Sequence, residues 1–390
     1  MRIIVGGYIG LYPTGGATWD YIQYPLGLKM LGHDVYYIED TMQYPIYQAE
    51  GNNWDDASAC VAYLQKTMKD FGLEERWAYR DVASGNCYGM SVNKINELCS
   101  SADLFINISC STYMRDEYKK IPNRILIDSD PMFTQVQYHN ELNGEKGTCV
   151  KDLIESHNYL FSFGENIGKK DCLVPTFNLQ WFNTRQPVCL DLWKNPDGID
   201  GHGFTSIMNW SGRKKMLYEN EEWGQKDVEF QKYITLPVQL PQSKFEVVIN
   251  PPLNPESNYN HDEITGQHWE VLNPAKTVGN CEDYMRFIKT SLAEFSVAKE
   301  TYVKSRSGWF SCRSACYLAA GRPVIAQETG WSKYIPSGNG LFAFNDMDSA
   351  LEAVRTVTAD IKKNSRAAIA VAHEYFDSNI VLKEMISKLN

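Results

Sequence analysis

Short apolar runs alternate along this chain with longer stretches in which apolar residues recur at helical spacing. Ile3, Ile4 and Val5 form a compact run that ends at Gly6-Gly7, the pattern of a strand buried on both faces. A turn-rich loop follows, from Tyr8 through Pro13 to Gly16. Trp19, Ile22, Leu26, Met30 and Leu31 then repeat at helical intervals, and Gly32 stands where a helix C-terminus favours glycine. Residues 34–39 return as a second strand, so the first forty residues predict a βαβ unit. Helices over 55–71 and 92–99 and strands over 104–109, 124–128 and 159–163 continue the alternation. Such alternation predicts an α/β fold with a doubly wound parallel sheet.

The pattern breaks between 183 and 203, where Pro187, Pro196-Asp-Gly198 and Gly201-His-Gly203 cluster. A linker is expected over 187–203. It separates an N-terminal domain, 1–186, from a second α/β series, 204–373. Strands are predicted there over 204–208, 244–249, 294–297, 323–326 and 342–344, with helices over 348–357 and from 362. At 390 residues the chain suits two domains rather than one core.

Composition narrows the class. With 43% hydrophobic and 22% charged residues the chain reads as globular. Subtracting 48 acidic from 38 basic residues leaves a net charge of −10, which argues against a general polyanion-binding surface but leaves room for a local basic groove. The ten cysteines contain no C-x-x-C pair, and several fall in apolar strands or helices, as reduced, buried thiols do. No signal peptide and no apolar run of membrane-spanning length is visible, so a soluble cytoplasmic protein is expected. The seven histidines show no metal-ligand spacing. No Walker A motif is present, and Gly6-Gly7-x-x-Gly10 departs from the dinucleotide fingerprint, which disfavours a kinase or a dehydrogenase.

The most informative segment runs from Ser305 to Ala326. A hydroxyl-rich loop containing Arg306, Ser307 and Gly308 leads into a helix predicted to open at Ser311 and stop at Gly321, followed by the apolar run Pro323-Val-Ile-Ala326. A helix start offers free N–H groups and a positive dipole end to an anion, and Arg306 and Arg313 add fixed charge beside it. Ala319-Ala-Gly-Arg-Pro-Val-Ile325, with Gly330 after it and Gly338-Asn-Gly-Leu341 before Asp346 and Ala350, resembles the nucleotide-sugar site of GT-B glycosyltransferases. The whole chain looks like a group of bacterial and phage glycosyltransferases. That resemblance implies two Rossmann-like domains facing a cleft, a C-terminal segment, 374–390, crossing back onto the N-terminal domain, and transfer of a sugar from a nucleoside diphosphate donor to a hydroxyl. It implies no cofactor beyond the nucleotide sugar and no essential metal. Many retaining members carry two glutamates eight residues apart; Gly308 and Cys316 occupy those positions here, so the resemblance does not extend to a stereochemical outcome.

Candidate roles follow from chemistry and from that resemblance. For the donor diphosphate the candidates are Arg306, Ser307, Gly308, Ser311, Arg313 and Lys299, with Gly212 and Arg213 on the loop after the strand at 204–208. Gln327 is placed to reach donor sugar hydroxyls. Arg313 falls where phage DNA glucosyltransferases place a phosphate-binding arginine, and Asp128 falls where they place a basic carboxylate. Asp130 and Asp20 are the other candidates for a base, which deprotonates the acceptor. Each has a plainer alternative: Asp128 and Asp130 as caps of an Asp-Pro turn, Asp20 and Lys299 as solvated charges. On the acceptor side, Gly15 and Gly16 lie on the loop after the first strand, and Glu165 follows the strand at 159–163. Acceptors considered are a hydroxymethylated pyrimidine in phage DNA, a glycan, a lipid, a natural product or a protein. A sugar-nucleotide epimerase of the same fold and a non-catalytic nucleotide-sugar sensor are the alternative readings.

Overall fold

The computed structural model describes residues 1–46, 54–145, 147, 149–195, 200–212, 215–252 and 258–389. Eight strands build the first sheet: β1 (Arg2–Gly6), β2 (Asp34–Glu39), β3 (Trp77–Arg80), β4 (Cys87–Gly89), β5 (Leu104–Ile108), β6 (Asn123–Asp128), β7 (Tyr159–Ser162) and β8 (Trp181–Asn183). Their spatial order is β4-β3-β2-β1-β5-β6-β7-β8. All neighbours are parallel except β3 with β4. β1 lies inside the sheet, paired Ile3↔Val35 on one side and Ile3↔Leu104 on the other, and Ile3, Ile4 and Val5 are wholly buried. The chain steps outward from β1 first one way and then the other, opening a crevice at the carboxyl ends of β1 and β5.

The second sheet repeats this plan with β9 (Phe204–Asn209), β12 (Phe245–Asn250), β13 (Trp269–Leu272), β14 (Ala293–Ser296), β15 (Val324–Gln327) and β16 (Leu341–Phe344), in the parallel order β13-β12-β9-β14-β15-β16. Its crevice lies between β9 and β14. An antiparallel ribbon, β10 (Met216–Tyr218) with β11 (Glu221–Trp223), is inserted after β9. Its two-residue turn, Glu219-Asn220, has both residues at positive φ, 51° and 64°, the twist that a tight hairpin requires.

The two sheets share one continuous apolar core. The Gly15–Met30 helix of the first sheet contributes Trp19 and Ile22; the Cys281–Thr290 and Cys312–Ala319 helices of the second contribute Tyr284, Ile288, Tyr317 and Leu318. Trp19 Nε1 donates to the Cys281 carbonyl at 2.9 Å. At this contact a Cβ on Gly15 would lie 2.3 Å from the Asn280 carbonyl oxygen. Gly15 and Gly16 thus sit in the first turn of a helix packed against the other domain, not on an acceptor loop as the sequence pattern suggested. The ribbon also bridges, burying Trp223 among Met132, Val136, Ile167 and Val174.

The chain end crosses back as well. The Ser378–Ile386 helix packs on the Gly15–Met30 helix, and Ser378 N donates to the Val188 carbonyl at 2.9 Å. Gln23 ties the connecting segment down, its Oε1 accepting from Cys189 N at 3.0 Å and from Trp193 Nε1 at 3.1 Å. Within the expected linker, residues 196–199 lie outside the described residues.

Candidate active site

Three carboxylates approach the cleft from the first sheet, and their partners separate their roles. Asp128 ends β6 and is wholly buried. Its Oδ1 accepts from Thr134 Oγ1 at 2.6 Å and from Asp130 N at 3.1 Å, while its Oδ2 accepts from Gln135 Nε2 and Ser162 Oγ, both at 2.8 Å. Burial pushes its carboxyl above the usual range, opposed by those hydrogen bonds. With donors on both oxygens and no exposure, Asp128 organises the turn and does not reach an acceptor.

Asp130, two residues on, does reach the cleft, but it is occupied from across it. Lys299 Nζ lies 2.6 Å from Asp130 Oδ1, and the Tyr302 hydroxyl donates to the same oxygen. Trp309 Nε1 donates to the Ser129 carbonyl at 3.1 Å and stacks on Tyr302 with centroids 4.4 Å apart. Lys299 also lies 4.8 Å from the Phe133 ring centroid. One turn of the first domain is thus gripped by one helix and loop of the second.

Asp20 differs from both. It projects from the Gly15–Met30 helix, only partly exposed, and its carboxylate receives no hydrogen bond from any described residue. Burial raises its carboxyl to about 7; Asp130 raises it further and Arg313 lowers it. A carboxylate poised near neutrality inside a cleft is suited to proton transfer.

The donor candidates also divide. Arg313 is the second residue of the Cys312–Ala319 helix, with 11% of its side chain exposed, its Nε on Glu294 Oε1 at 2.5 Å, one terminal nitrogen on the Ile207 carbonyl at 2.5 Å and the other on Ser296 Oγ at 2.9 Å. It is a fixed charge beside the helix start rather than a free fork. Ser307 is wholly buried, and Gly308 N donates to the Thr329 carbonyl at 2.7 Å. Gly308 has φ +79°, and a Cβ there would lie 2.5 Å from Asn166 N, so this glycine serves a close approach between the domains. Asn166 N donates to the Ser307 carbonyl at 3.0 Å. Arg306 pairs at 3.1 Å with Asp171, which is also held by Lys333. Arg306, Ser307 and Gly308, expected from the loop's composition to cradle a phosphate, build an interdomain contact here.

Gln327 is likewise committed, accepting from Ala298 N at 3.0 Å and donating to Glu229 Oε2 at 2.6 Å, so it does not face donor hydroxyls. Glu165 is buried and bidentate to Arg185, at 2.6 and 2.7 Å, which removes it from the acceptor side. Gly212 is exposed on the loop after β9, and Arg213 lies outside the described residues. Ser311 caps the helix start without a side-chain bond, over a void of about 10 Å³ that Ser314, Trp309 and Trp331 also line. The Ser314 hydroxyl is buried there without a partner among the described residues.

Lys226 was not foreseen. It opens the short Lys226–Gln231 helix directly after the ribbon, and no described residue pairs with it. Burial lowers its pKa well below the lysine range, Arg313 and Lys299 lower it further, and Glu294 raises it. Lys226 therefore lies in the field of Arg313 and Lys299, which Glu294 and Asp130 engage, and that field disfavours its own charge. An anion bound beside it would favour the charged form. The sequence signal was slight: a Gly224-Gln-Lys226 turn downstream of a hairpin too short to announce itself. No group of three or more His, Cys, Asp or Glu arranged to hold a metal occurs among the described residues. None of their helices is long and apolar enough to cross a membrane.

No protein-family model and no curated protein matches the chain. Solved structures do. An alpha-glucosyltransferase in complex with UDP and a 13-mer DNA containing a HMU base superposes with a TM-score of 0.59 at 12% identity, over 99% of this chain and 98% of that one. HepE from Anabaena, in complex with UDP-glucose, gives 0.57 at 12% identity over 100% of both chains. AviGT4, a glycosyltransferase involved in avilamycin A biosynthesis, gives 0.52 at 12% identity, over 100% of this chain and 96% of that one. With two parallel α/β sheets, facing crevices and a C-terminal helix crossing back, the chain has the GT-B fold.

Proposed function

We propose that this protein transfers a sugar from a nucleoside diphosphate sugar, of which UDP-glucose is the first to test, to an acceptor hydroxyl. The observation that carries this reading is the placement at the cleft of an amine and a carboxylate, one from each domain, that no described residue pairs: Lys226 and Asp20. Lys226, with Arg313 and Lys299 behind it and the start of the Cys312–Ala319 helix beside it, is the seat for the departing diphosphate. Asp20, held near neutrality, takes the acceptor proton. The side-chain cations carry the charge neutralisation, so the reaction needs no resident metal. Lys299 exchanges Asp130 for a phosphate oxygen when donor binds. UDP and UDP-glucose in the structural neighbours make the uridine nucleotide the natural first choice. An epimerase would call on several free carboxylates, and Asp128 and Glu165 are both committed.

The test is a melting-temperature series with UDP, UDP-glucose and other nucleotide sugars, because a ligand bound only by the folded state raises the midpoint. A rise with a uridine nucleotide that is lost in Lys226→Ala and kept in Asp20→Asn supports the assignment. No rise with any nucleotide sugar removes it.

A further inference from the structure

The first sheet carries a second feature at its carboxyl edge that the donor site does not use. Met42, Tyr44, Ile46 and Trp54, which follow β2, and Tyr113, which follows β5, are all solvent-exposed; Trp54 is 64% exposed and Tyr44 49%. Tyr44 and Trp54 lie edge to face with centroids 4.9 Å apart. The patch is continuous with the cleft. Gln43 Nε2 donates to the Tyr8 hydroxyl at 3.1 Å, Tyr8 packs edge-on against Tyr12 at 5.5 Å and Tyr21 at 5.9 Å, and Tyr21 lies within the electrostatic reach of both Tyr8 and Asp20. A ligand lying on Tyr44 and Trp54 therefore extends along Tyr8 towards the carboxylate that would receive its proton.

Building on the transferase reading, we propose that this aromatic edge is the acceptor platform and that the acceptor is a neutral carbohydrate chain. Aromatic rings with polar tips present an apolar face to the C–H side of a sugar ring and a hydroxyl or N–H to its rim. Charge decides between the possible occupants. Single-stranded nucleic acid also stacks on aromatics, but it needs a cationic groove for its backbone. The arginines at this edge are spent: Arg115 is bidentate to buried Asp40 at 2.5 and 2.9 Å, and Arg80 pairs with Glu117 at 2.9 Å. The charges flanking Trp54 are Asp55 and Asp56. The same balance disfavours an anionic lipid surface, which is held by basic side chains beside the apolar ones.

Intrinsic tryptophan fluorescence, titrated with maltohexaose, cellohexaose, chitohexaose and mannohexaose, tests this, with a single-stranded 13-mer DNA and phosphatidylglycerol vesicles in parallel and UDP melting shifts run on the same samples. The expected result is saturable binding of at least one oligosaccharide, weakened tenfold or more by Trp54→Ala and by Tyr44→Ala, with the UDP shift equal in all three proteins. Oligosaccharide binding unchanged in both variants overturns the platform. DNA or vesicle binding lost in Trp54→Ala, without oligosaccharide binding, overturns the carbohydrate assignment. A UDP shift with no oligosaccharide binding overturns the platform and leaves the transferase reading standing; oligosaccharide binding at Trp54 with no UDP shift does the reverse.

Discussion

The two edges of the cleft are built on the same plan and carry opposite chemistry. In both sheets the residues of interest follow the carboxyl ends of parallel strands. The first sheet presents carboxylates and tyrosines; the second presents Lys226, Lys299 and Arg313. Within each edge, residues of one type diverge according to what already touches them. Asp128 and Asp20 are both carboxylates near the crevice, yet one is saturated by four donors and the other has none among the described residues. Arg306 and Lys226 are both basic side chains, yet one is pinned to Asp171 and the other is paired by no described residue. A side chain whose hydrogen-bonding capacity is filled by the fold has little left for a substrate.

Removing the free carboxylate should separate chemistry from binding most sharply. Asp20→Asn is expected to lower transfer by about 10²-fold or more, with the UDP melting shift retained; a fall of less than tenfold would leave the base elsewhere. In the unsubstituted protein, kcat/KM should rise with pH through about 7, since the ionised form is the base. Stability should move the other way. The folded-state carboxyl lies above the unfolded range of about 4, so the unfolded state gives up its proton first and folding is disfavoured as pH rises through that window to about 7. The melting advantage of Asp20→Asn over the parent should thus be larger at pH 8 than at pH 4.

The committed cation of the other edge should behave differently. Arg313→Ala strands Glu294 in the core, and breaking a buried pair from one side costs about 3–5 kcal/mol. Denaturant unfolding should show the loss even in the absence of nucleotide. Lys226→Ala, by contrast, should leave the fold as stable or more stable at neutral pH, because it removes an amine whose charge burial, Arg313 and Lys299 disfavour, and should weaken UDP by about 10- to 100-fold, roughly 1.5–3 kcal/mol for lost charge-assisted hydrogen bonds. If the two variants gave the same pattern, the distinction between committed and free charge would fail. The smallest effect is expected for Tyr302→Phe, which removes one hydrogen bond across the cleft to Asp130 and should cost about 1–2 kcal/mol in the same unfolding measurement.

Much of the fold was legible. Fully buried parallel strands read as unbroken apolar runs, and β1, β5, β6 and β15 could be placed from that alone. The strands that escaped notice are short or at edges. β3 has four residues beside the charged run Glu74-Glu75-Arg76, and the β10–β11 ribbon turns on Glu-Asn rather than the Asn-Gly that marks a tight hairpin. The site was less legible. Asp20, Lys299 and Arg313 do gather in the cleft, whereas Ser307, Gly308 and Arg306, read as a phosphate loop, are engaged with the other domain. Glycine, serine and arginine serve an interdomain contact as well as an anion, and nothing in their spacing tells which. Lys226 was missed because the ribbon that delivers it was missed.

What the sequence determined by itself was the order of buried strands and amphipathic helices, the division into two α/β series, and the supply of carboxylates and cations near strand ends. Periodicity and turn chemistry are local, so they survive without knowledge of the fold. What only the tertiary structure decided was which of those charges were already spent. That depends on partners far away in sequence: Asp130 with Lys299 and Arg313 with Glu294. Burial, which raises the Asp20 carboxyl to about 7 and lowers the Lys226 pKa, likewise exists only once the two sheets close on one another, because desolvation is a property of the assembled cleft and not of the residue.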